Sequence, residues 1–181
     1  MMCSQEIFSS KDEARKYAKA VAKTLQEDDG KAAMSIRSLE QYKNAKVIFT
    51  YVNIGAECAT MPFINAALAD GKAICVPLCQ DDGIMTARYI TSINELHRAY
   101  MGILEPNLSA CKASPEDIDI CVMPCLAADK KGNRLGHGLG YYDKYLAHCN
   151  AYKILLCRNE LILNNVPTDM HDIKYDILIV S

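Results

Sequence analysis

Long apolar runs are missing from this sequence. No stretch approaches the roughly 18 consecutive apolar residues that a membrane-spanning helix needs, so we expect no membrane insertion. Residues 1–6 contain neither a basic segment nor a following apolar run, and we therefore expect no signal peptide and a cytoplasmic protein. Repeats, low-complexity tracts and linkers are also missing, so the 181 residues predict a single domain over residues 1–181.

A strong net charge is missing as well. The 20 basic and 22 acidic residues give a formal charge of −2 at pH 7. General nucleic-acid binding needs a strongly basic surface, so we expect no nucleic-acid partner. Half of the residues are hydrophobic and 23% are charged, which excludes intrinsic disorder. A folded chain of this length buries roughly 70% of its unfolded surface, enough for a substantial core.

Cysteine is unusually frequent, with nine residues. An odd number without a secretory signal indicates reduced thiols rather than a disulfide framework. Cys75 and Cys79 share their spacing with Cys121 and Cys125. Zinc knuckles have a tighter spacing and usually a nearby histidine, so these cysteines are expected to be small core residues.

The helix signals are local. Ser10 and Glu13 have the spacing of a capping box, and apolar residues recur behind them at helical intervals. This pattern predicts a helix that ends at Asp28-Asp29-Gly30, followed by a less regular helix over residues 32–41. Further helices are predicted to start at Thr60 and end at Gly71, to start at the capping box of Ser92, and to run through Tyr145.

Short apolar strands alternate with these helices. They are predicted at residues 46–52, 73–76 (closed by Pro77), 84–90, 118–123, 153–157 and 176–180. This alternation predicts an α/β fold, a three-layer single domain with a mostly parallel sheet flanked by helices. In such folds ligands bind outside the carboxyl ends of the strands.

The most informative segment is the glycine loop, residues 134–143, which lies between a strand and a helix. Its alternate glycines let backbone N–H groups approach a bulky anion, and the helix start behind them favours phosphate. The spacing is neither a dinucleotide fingerprint nor a P-loop. Nearby cations are Lys130, Lys131, Arg134 and His137. We favour phosphate binding here, with an ordinary turn as the alternative.

Asp143 follows the glycines directly. It is placed to hold magnesium beside bound phosphates. A solvated carboxylate in a first helical turn would have the same local sequence.

The glycine loop resembles the signature of the 5-formyltetrahydrofolate cyclo-ligase family, also called 5,10-methenyltetrahydrofolate synthetase. Other segments match this family in the same order: Lys11 and Arg15, Gly55-Ala56-Glu57 with Thr60, Pro77-Leu78, Asp82-Gly83-Ile84-Met85, Gly102-Ile103-Leu104-Glu105-Pro106, Val166-Pro167, His171-Asp172 and Asp176. They cover nearly the whole chain. The resemblance implies a Rossmann-like sheet of the kind found in phosphosugar isomerases and CoA transferases.

The resemblance also implies the site residues. ATP would be bound by Lys11, Arg15, Arg134, Leu135, Gly136, His137, Gly138, Leu139, Gly140, Tyr141 and Tyr142. The folate substrate would be bound by Val52, Glu57, His137, Gly138, Leu139, Gly140 and Tyr141, with Tyr141 or Tyr51 beside the ring. Magnesium would be held by Asp143 and Asp172. The expected catalytic residues are Arg134, Tyr141 and Lys11.

The implied reaction is the ATP- and magnesium-dependent cyclisation of 5-formyltetrahydrofolate to 5,10-methenyltetrahydrofolate, with release of ADP and phosphate. Phosphorylation of the formyl oxygen would turn it into a leaving group. The expected partner is this small-molecule substrate, with or without a polyglutamate tail, and the expected state is a monomer or weak homodimer.

Two other functions remain open. One is an enzyme of another class on a similar sheet, a phosphosugar isomerase or CoA transferase, which would not hydrolyse ATP. The other is a non-catalytic nucleotide-binding module that regulates a partner. It would bind ATP without any folate-dependent turnover.

Overall fold

A computed structural model describes residues 8–80, 83–99 and 102–181. The predicted family match at Asp82 lies outside these residues. The helices are α1 (Lys11–Ala22), α2 (Lys31–Ser35), α3 (Glu40–Asn44), α4 (Met61–Ala69) and α5 (Tyr141–Leu146). The strands are β1 (Val47–Thr50), β2 (Ala73–Cys79), β3 (Met85–Ile90), β4 (His97–Arg98), β5 (Leu104–Glu105), β6 (Ile120–Met123), β7 (Ala127–Asp129), β8 (Arg134–Leu135), β9 (Tyr152–Cys157), β10 (Ile162–Leu163) and β11 (Ile177–Val180).

The central sheet has six strands in the order β11-β9-β6-β1-β2-β3. The first five run parallel, and β3 pairs with β2 in the antiparallel direction. The prediction of a mostly parallel sheet is therefore confirmed. β4 pairs with β5, and β10, β7 and β8 form a small sheet of their own.

Helices cover both faces of the central sheet. Side chains alternate along β1, so that Phe49 packs in one apolar cluster with residues of α1 and α5, whereas Ile48 packs in another with α2, α3 and α4. Both residues are fully buried. The three predicted layers are therefore present. No described helix is both long and apolar enough to cross a bilayer.

The start of α1 is confirmed, but its predicted end is wrong. Ser10 caps the helix and accepts a hydrogen bond from the backbone N–H of Glu13 (3.2 Å). The helix ends at Ala22 rather than at residues 28–30. The carboxylate of Asp28 accepts from the backbone N–H groups of Gly30 and Ala59 (both 2.9 Å). This links the segment to the loop after β1, and Gly30 begins α2 instead.

The single helix predicted over residues 32–41 is also wrong. α2 and α3 are separated by a 3₁₀ turn over Ile36–Ser38 and by Leu39, whose backbone is extended (ψ 142°). The hydroxyls of Ser35 and Ser38 each donate to a carbonyl three residues earlier (2.7 Å). Such local bonds compete with regular helix geometry and explain the break.

Two further predicted boundaries need correction. β2 continues through Pro77 to Cys79. Proline has no backbone N–H to donate, and at Pro77 none is needed on the side of β1, because β1 pairs only with residues 73–75. The capping box at Ser92 begins only a 3₁₀ turn, Ile93–Glu95.

The described cysteines are all free. Cys75, Cys121 and Cys125 are buried as predicted, whereas Cys79 is exposed and contradicts the prediction of a core residue. Cys79 is the last residue of β2, where the strand reaches the wall of a cleft. The described residues contain no group of three His, Cys, Asp or Glu that could hold a metal.

The hairpin of β7 and β8 leads into the glycine loop and is fixed by Asp129. This carboxylate is fully buried. It accepts from the backbone of Lys131 (2.9 Å) and Val166 (2.8 Å), and from both nitrogens of Asn133 (3.2 and 2.9 Å). Burial by itself raises the pKa of Asp129, but these hydrogen bonds outweigh it and lower the pKa below its ordinary value.

Replacing Asp129 by asparagine should destabilise the fold in a pH-dependent way. The amide nitrogen of Asn would face a backbone donor, which costs about 1–3 kcal/mol of unfolding free energy at pH 7. The lowered pKa means that the wild-type carboxylate stabilises the fold above about pH 4 and loses this contribution as the pH falls further.

Urea unfolding at pH 7 and at decreasing pH would measure both effects. The difference in unfolding free energy between wild type and Asp129→Asn should become smaller as the pH falls below about 4. Asp117→Asn, at an exposed position, is the matched control, and its unfolding free energy should be close to that of wild type. A difference that stays constant with pH would contradict this role of the carboxylate.

Candidate active site

The carboxyl ends of β1 and β6 mark the point where the strand order reverses. β1 pairs with β2 on one side and with β6 on the other. The connections that follow them leave in opposite directions, which opens a crevice at this edge. Residues 51–60 follow β1, and residues 124–143, with the glycine loop, follow β6.

A large cleft of about 970 Å³ lies at this edge. Its walls are the start of α1, the end of β2, the glycine loop, the start of α5 and residues 169–173. The predicted nucleotide and metal residues in these walls are Lys11, Arg15, Arg134, Leu135, Gly136, His137, Gly138, Leu139, Gly140, Tyr141, Tyr142, Asp143 and Asp172. The fold therefore brings this predicted set together.

Lys11 is held by two carboxylates at one end of the large cleft. Its Nζ lies 2.7 Å from Oδ2 of Asp169 and 2.6 Å from Oδ2 of Asp172. Burial by itself lowers the pKa of Lys11, but its bonds to the two carboxylates outweigh it and raise the pKa above its ordinary value. Lys11 is therefore a fixed cation.

Arg134 forms the second cation of the cleft. It is 7% exposed, and its Nη2 donates to Oδ2 of Asp143 (2.9 Å). Its guanidinium also lies over the ring of Tyr142, 5.6 Å from the centroid. The other oxygen of Asp143 accepts from the backbone N–H of Ile173 (3.1 Å). Asp143 thereby links the glycine loop to the segment that carries Asp172.

The two predicted magnesium ligands are thus ion-paired with two predicted phosphate-binding cations. The donor set fits this metal, since magnesium is usually bound by one or two carboxylates and keeps water and phosphate oxygens as its other ligands. Asp143 and Asp172 supply such carboxylates on the wall of one cleft.

Arg15 fixes the shape of the glycine loop. Its Nε donates to the carbonyl of Gly136 (3.1 Å), and its Nη1 pairs with Asp12 (2.7 Å). Gly138 has φ 110°, and a Cβ there would lie 3.4 Å from the guanidinium carbon of Arg15. A side chain at Gly138 would therefore be strained and crowded. Behind the loop, α5 has only six residues, so its dipole contributes less than a long helix would.

A second cavity of about 280 Å³ lies beside the large cleft. His137 lines both. The residues around the second cavity are Ala22, Tyr51, Ile54, Gly55, Ala56, Glu57, Cys58, Cys125, Leu126, His137, Leu156, Cys157, Arg158 and Leu161. Polar groups are therefore few and the walls are mainly apolar, as is typical of a small-molecule site.

Glu57 is the carboxylate of the second cavity. Its side chain is 13% exposed, and its Oε2 accepts from the backbone N–H of Ile54 (3.0 Å). Oε1 lies 3.4 Å from Nε2 of His137. Glu57 is thereby oriented toward the junction of the two cavities. Val52, predicted to contact the same substrate, is buried in the core and lines neither cavity.

The three tyrosines of the site differ in their contacts. The hydroxyl of Tyr141 donates to the carbonyl of Gln80 (3.0 Å) on the wall of the large cleft. Tyr142 stacks on Phe49 with a centroid distance of 5.9 Å, and burial raises its pKa well above the ordinary value. Tyr51 lines the second cavity and donates to the carbonyl of Cys58 (2.8 Å).

Asp169 and Arg158 are two site residues that the sequence did not reveal. Asp169 meets Lys11 across 158 positions of sequence, and no local pattern indicates such a contact. Arg158 directly follows β9. The rule that polar residues after parallel strands gather at one edge would have found it.

Comparisons with known proteins identify the family of the chain. A profile of the 5-formyltetrahydrofolate cyclo-ligase family matches residues 9–181. The 5-formyltetrahydrofolate cyclo-ligase of Mus musculus is 32% identical over 149 residues, 75% of this chain and 73% of the relative. A Schizosaccharomyces pombe protein, "Probable 5-formyltetrahydrofolate cyclo-ligase", is 32% identical over 158 residues, 78% of each chain.

A solved structure shows the same fold. The NMR structure of 5,10-methenyltetrahydrofolate synthetase from Aquifex aeolicus superposes with a TM-score of 0.81 and 27% identity, covering 94% of this chain and 89% of that one. The family match over nearly all of the chain, the similar relatives and the shared architecture lead to one conclusion. The chain belongs to the 5-formyltetrahydrofolate cyclo-ligase family and is an enzyme of that family.

Proposed function

We propose that the protein catalyses the ATP- and magnesium-dependent closure of 5-formyltetrahydrofolate to 5,10-methenyltetrahydrofolate, with release of ADP and phosphate. The observation that carries this proposal is the pair of adjoining cavities with His137 in the wall of both. One has cations and a glycine loop suited to a triphosphate, and the other has the carboxylate of Glu57. Phosphoryl transfer between two bound molecules requires two such neighbouring sites.

The chemistry explains the need for ATP. The formyl group on N5 is an amide, a weak electrophile whose oxygen leaves poorly. Transfer of the γ-phosphoryl group to that oxygen releases ADP. Attack by N10 on the formyl carbon then closes the five-membered ring, and N10 loses its proton to solvent. Cleavage of the carbon–oxygen bond releases phosphate with both bonding electrons. No covalent protein nucleophile is required, so positioning and charge neutralisation supply the catalysis.

The large cleft would take the nucleotide. Lys11, Arg134 and the backbone of the glycine loop would bind the triphosphate, and Arg15 would hold the loop in shape through Gly136. Magnesium held by Asp143 and Asp172 would neutralise phosphate oxygens when bound.

Binding of ATP together with magnesium would exchange the two ion pairs of the cleft for new ones. Lys11 is paired with Asp172 and Arg134 with Asp143. Both cations would turn to phosphate, and both carboxylates would hold magnesium. Each of these four groups would keep a partner of opposite sign, and Asp169, the other carboxylate of Lys11, is 73% exposed and would be solvated by water. The cost of an unpaired charge in a partly buried site is therefore avoided.

The second cavity would take the pterin ring. An ionised carboxylate only accepts hydrogen bonds, so Glu57 suits the adjacent N–H donors of the pterin. Tyr51 and the leucines of the cavity wall supply apolar surface for the flat ring. The formyl group would then point toward His137 and the nucleotide.

A direct assay tests the proposed reaction. Purified protein with Mg-ATP and 5-formyltetrahydrofolate should produce the near-ultraviolet absorbance of methenyltetrahydrofolate, with one ADP per product. The signal should require all three components. ATP binding without any product would instead favour a non-catalytic nucleotide-binding module.

Lys11→Met should weaken the nucleotide site. The KM for ATP is expected to rise about 10- to 100-fold, because a hydrogen bond to a charged group contributes roughly 1.5–3 kcal/mol. The KM for 5-formyltetrahydrofolate should not change. Steady-state kinetics with each substrate varied would measure both. Lys16→Met, exposed on the same helix, is the control, and an unchanged KM for ATP in Lys11→Met would refute the assignment.

Glu57→Gln should weaken binding of the folate substrate, whereas Lys11→Met should weaken binding of ATP. Glutamine keeps an acceptor for Ile54 but places an N–H₂ group toward the N–H donors of the pterin. The KM for 5-formyltetrahydrofolate is expected to rise about 10- to 100-fold, with that for ATP unchanged. Glu27→Gln, at an exposed position, serves as control. If Glu57→Gln bound folate as tightly as wild type, the pterin assignment would be wrong.

A further inference from the structure

Arg158 is a cation of the second cavity that the proposed reaction does not use. It follows the last residue of β9 and lines the cavity together with Glu57. Its side chain is only 11% exposed. Most arginines are on the surface, so a largely buried one on a cavity wall calls for a partner.

The guanidinium is oriented by the protein but only partly satisfied. Nη1 donates to the carbonyls of Gln26 (2.9 Å) and Ala56 (3.5 Å). Nε is buried and has no hydrogen-bond partner among the described residues. Nη2 likewise makes no hydrogen bond within the described part of the chain. A ligand acceptor in the cavity would therefore meet a fixed donor.

Asp28 is the acidic partner of Arg158, but it does not hydrogen-bond to the guanidinium. Oδ2 of Asp28 lies 3.8 Å from Nε of Arg158, beyond ordinary hydrogen-bond distance. Its oxygens already accept from Gly30, Ala59 and the hydroxyl of Ser181. Asp28 therefore offsets the positive charge and leaves Nη2 available to a ligand.

The carboxylate of Glu57, an acceptor, and the guanidinium of Arg158, a donor, line the same cavity. Arg158 binds the carbonyl of Ala56, the residue next to Glu57. A ligand that presents N–H donors beside a carbonyl oxygen would satisfy both side chains. The pyrimidine edge of a pterin has this order, with the 2-amino group and N3–H beside the C4 carbonyl.

We propose that Arg158 determines specificity by donating a hydrogen bond from Nη2 to the C4 carbonyl of the pterin. This inference rests on the proposed function, since it assumes a pterin in the second cavity. Glu57 would select the donors of the ring, and Arg158 the carbonyl. A 4-amino pteridine would instead direct N–H groups at a guanidinium that cannot accept them, and would be rejected.

The experiment compares two ligands that differ at C4 and, in consequence, at N3, which carries a hydrogen only in the 4-oxo ring. Equilibrium binding of 5-formyltetrahydrofolate and of its 4-amino-4-deoxy counterpart would be measured by calorimetry, without turnover. Wild type should prefer the 4-oxo ligand by at least about tenfold, because a site built to pair a polar group rejects an analogue that leaves it unpaired. Equal affinities in wild type would overturn the proposal without any variant.

Two variants separate specificity from structural support. Both Arg158→Gln and Arg158→Lys lose the bonds to Gln26 and Ala56 in their present form. Glutamine can donate or accept, so the preference of Arg158→Gln should fall to the part that Glu57 contributes through N3–H. Lysine only donates, so it should keep the preference.

Each outcome has one meaning. A preference as large in Arg158→Gln as in wild type would show that Arg158 only supports the loops. Failure of wild type to bind 5-formyltetrahydrofolate would overturn the proposed function together with this inference. Tight binding of both ligands would overturn this inference alone.

Discussion

The position of β1 in the sheet is the constraint on which the site depends. It pairs with β2 on one side and β6 on the other, so the chain leaves its two carboxyl-end loops on opposite sides of a crevice. Glu57 enters from the loop after β1, and Arg134 from the segment after β6. Buried side chains such as Phe49 and Ile48 fix β1 between two apolar layers. The edge of the sheet beneath the crevice is therefore held in place by the packed core.

Charge pairing is the second organising feature. Lys11 pairs with Asp172, and Arg134 pairs with Asp143, in the wall of the large cleft. Each pair brings opposite charges into contact, which offsets the cost of placing them in a partly buried site. In the proposed function, phosphate alone would leave the two carboxylates without a partner, and a metal alone would leave the two cations without one. A ligand that carries both would leave these four groups paired.

Much of the fold could be predicted because its signals are local. The cap at Ser10 and the apolar strands each depend on residues close in sequence, and both are confirmed. The end of α1 could not be predicted, because Asp28 meets the backbone of Ala59. The same applies to the continuation of β2 through Pro77, which depends on where β1 stops pairing. In the site, the family resemblance indicated Lys11 and Asp172, but the contact of Lys11 with Asp169 is a product of tertiary structure alone.

The contact between Lys11 and Asp172 also has a consequence for biogenesis. The two residues are 161 positions apart, and the rest of the large cleft comes from residues between them or at their sides. Synthesis proceeds from the N-terminus, so α1 exists long before its partners. Such long-range closure is slow and late in folding. A ligand in this cleft would therefore bind only after residues 11–172 have been synthesised and folded together, and it would stabilise those molecules without acting on shorter nascent chains.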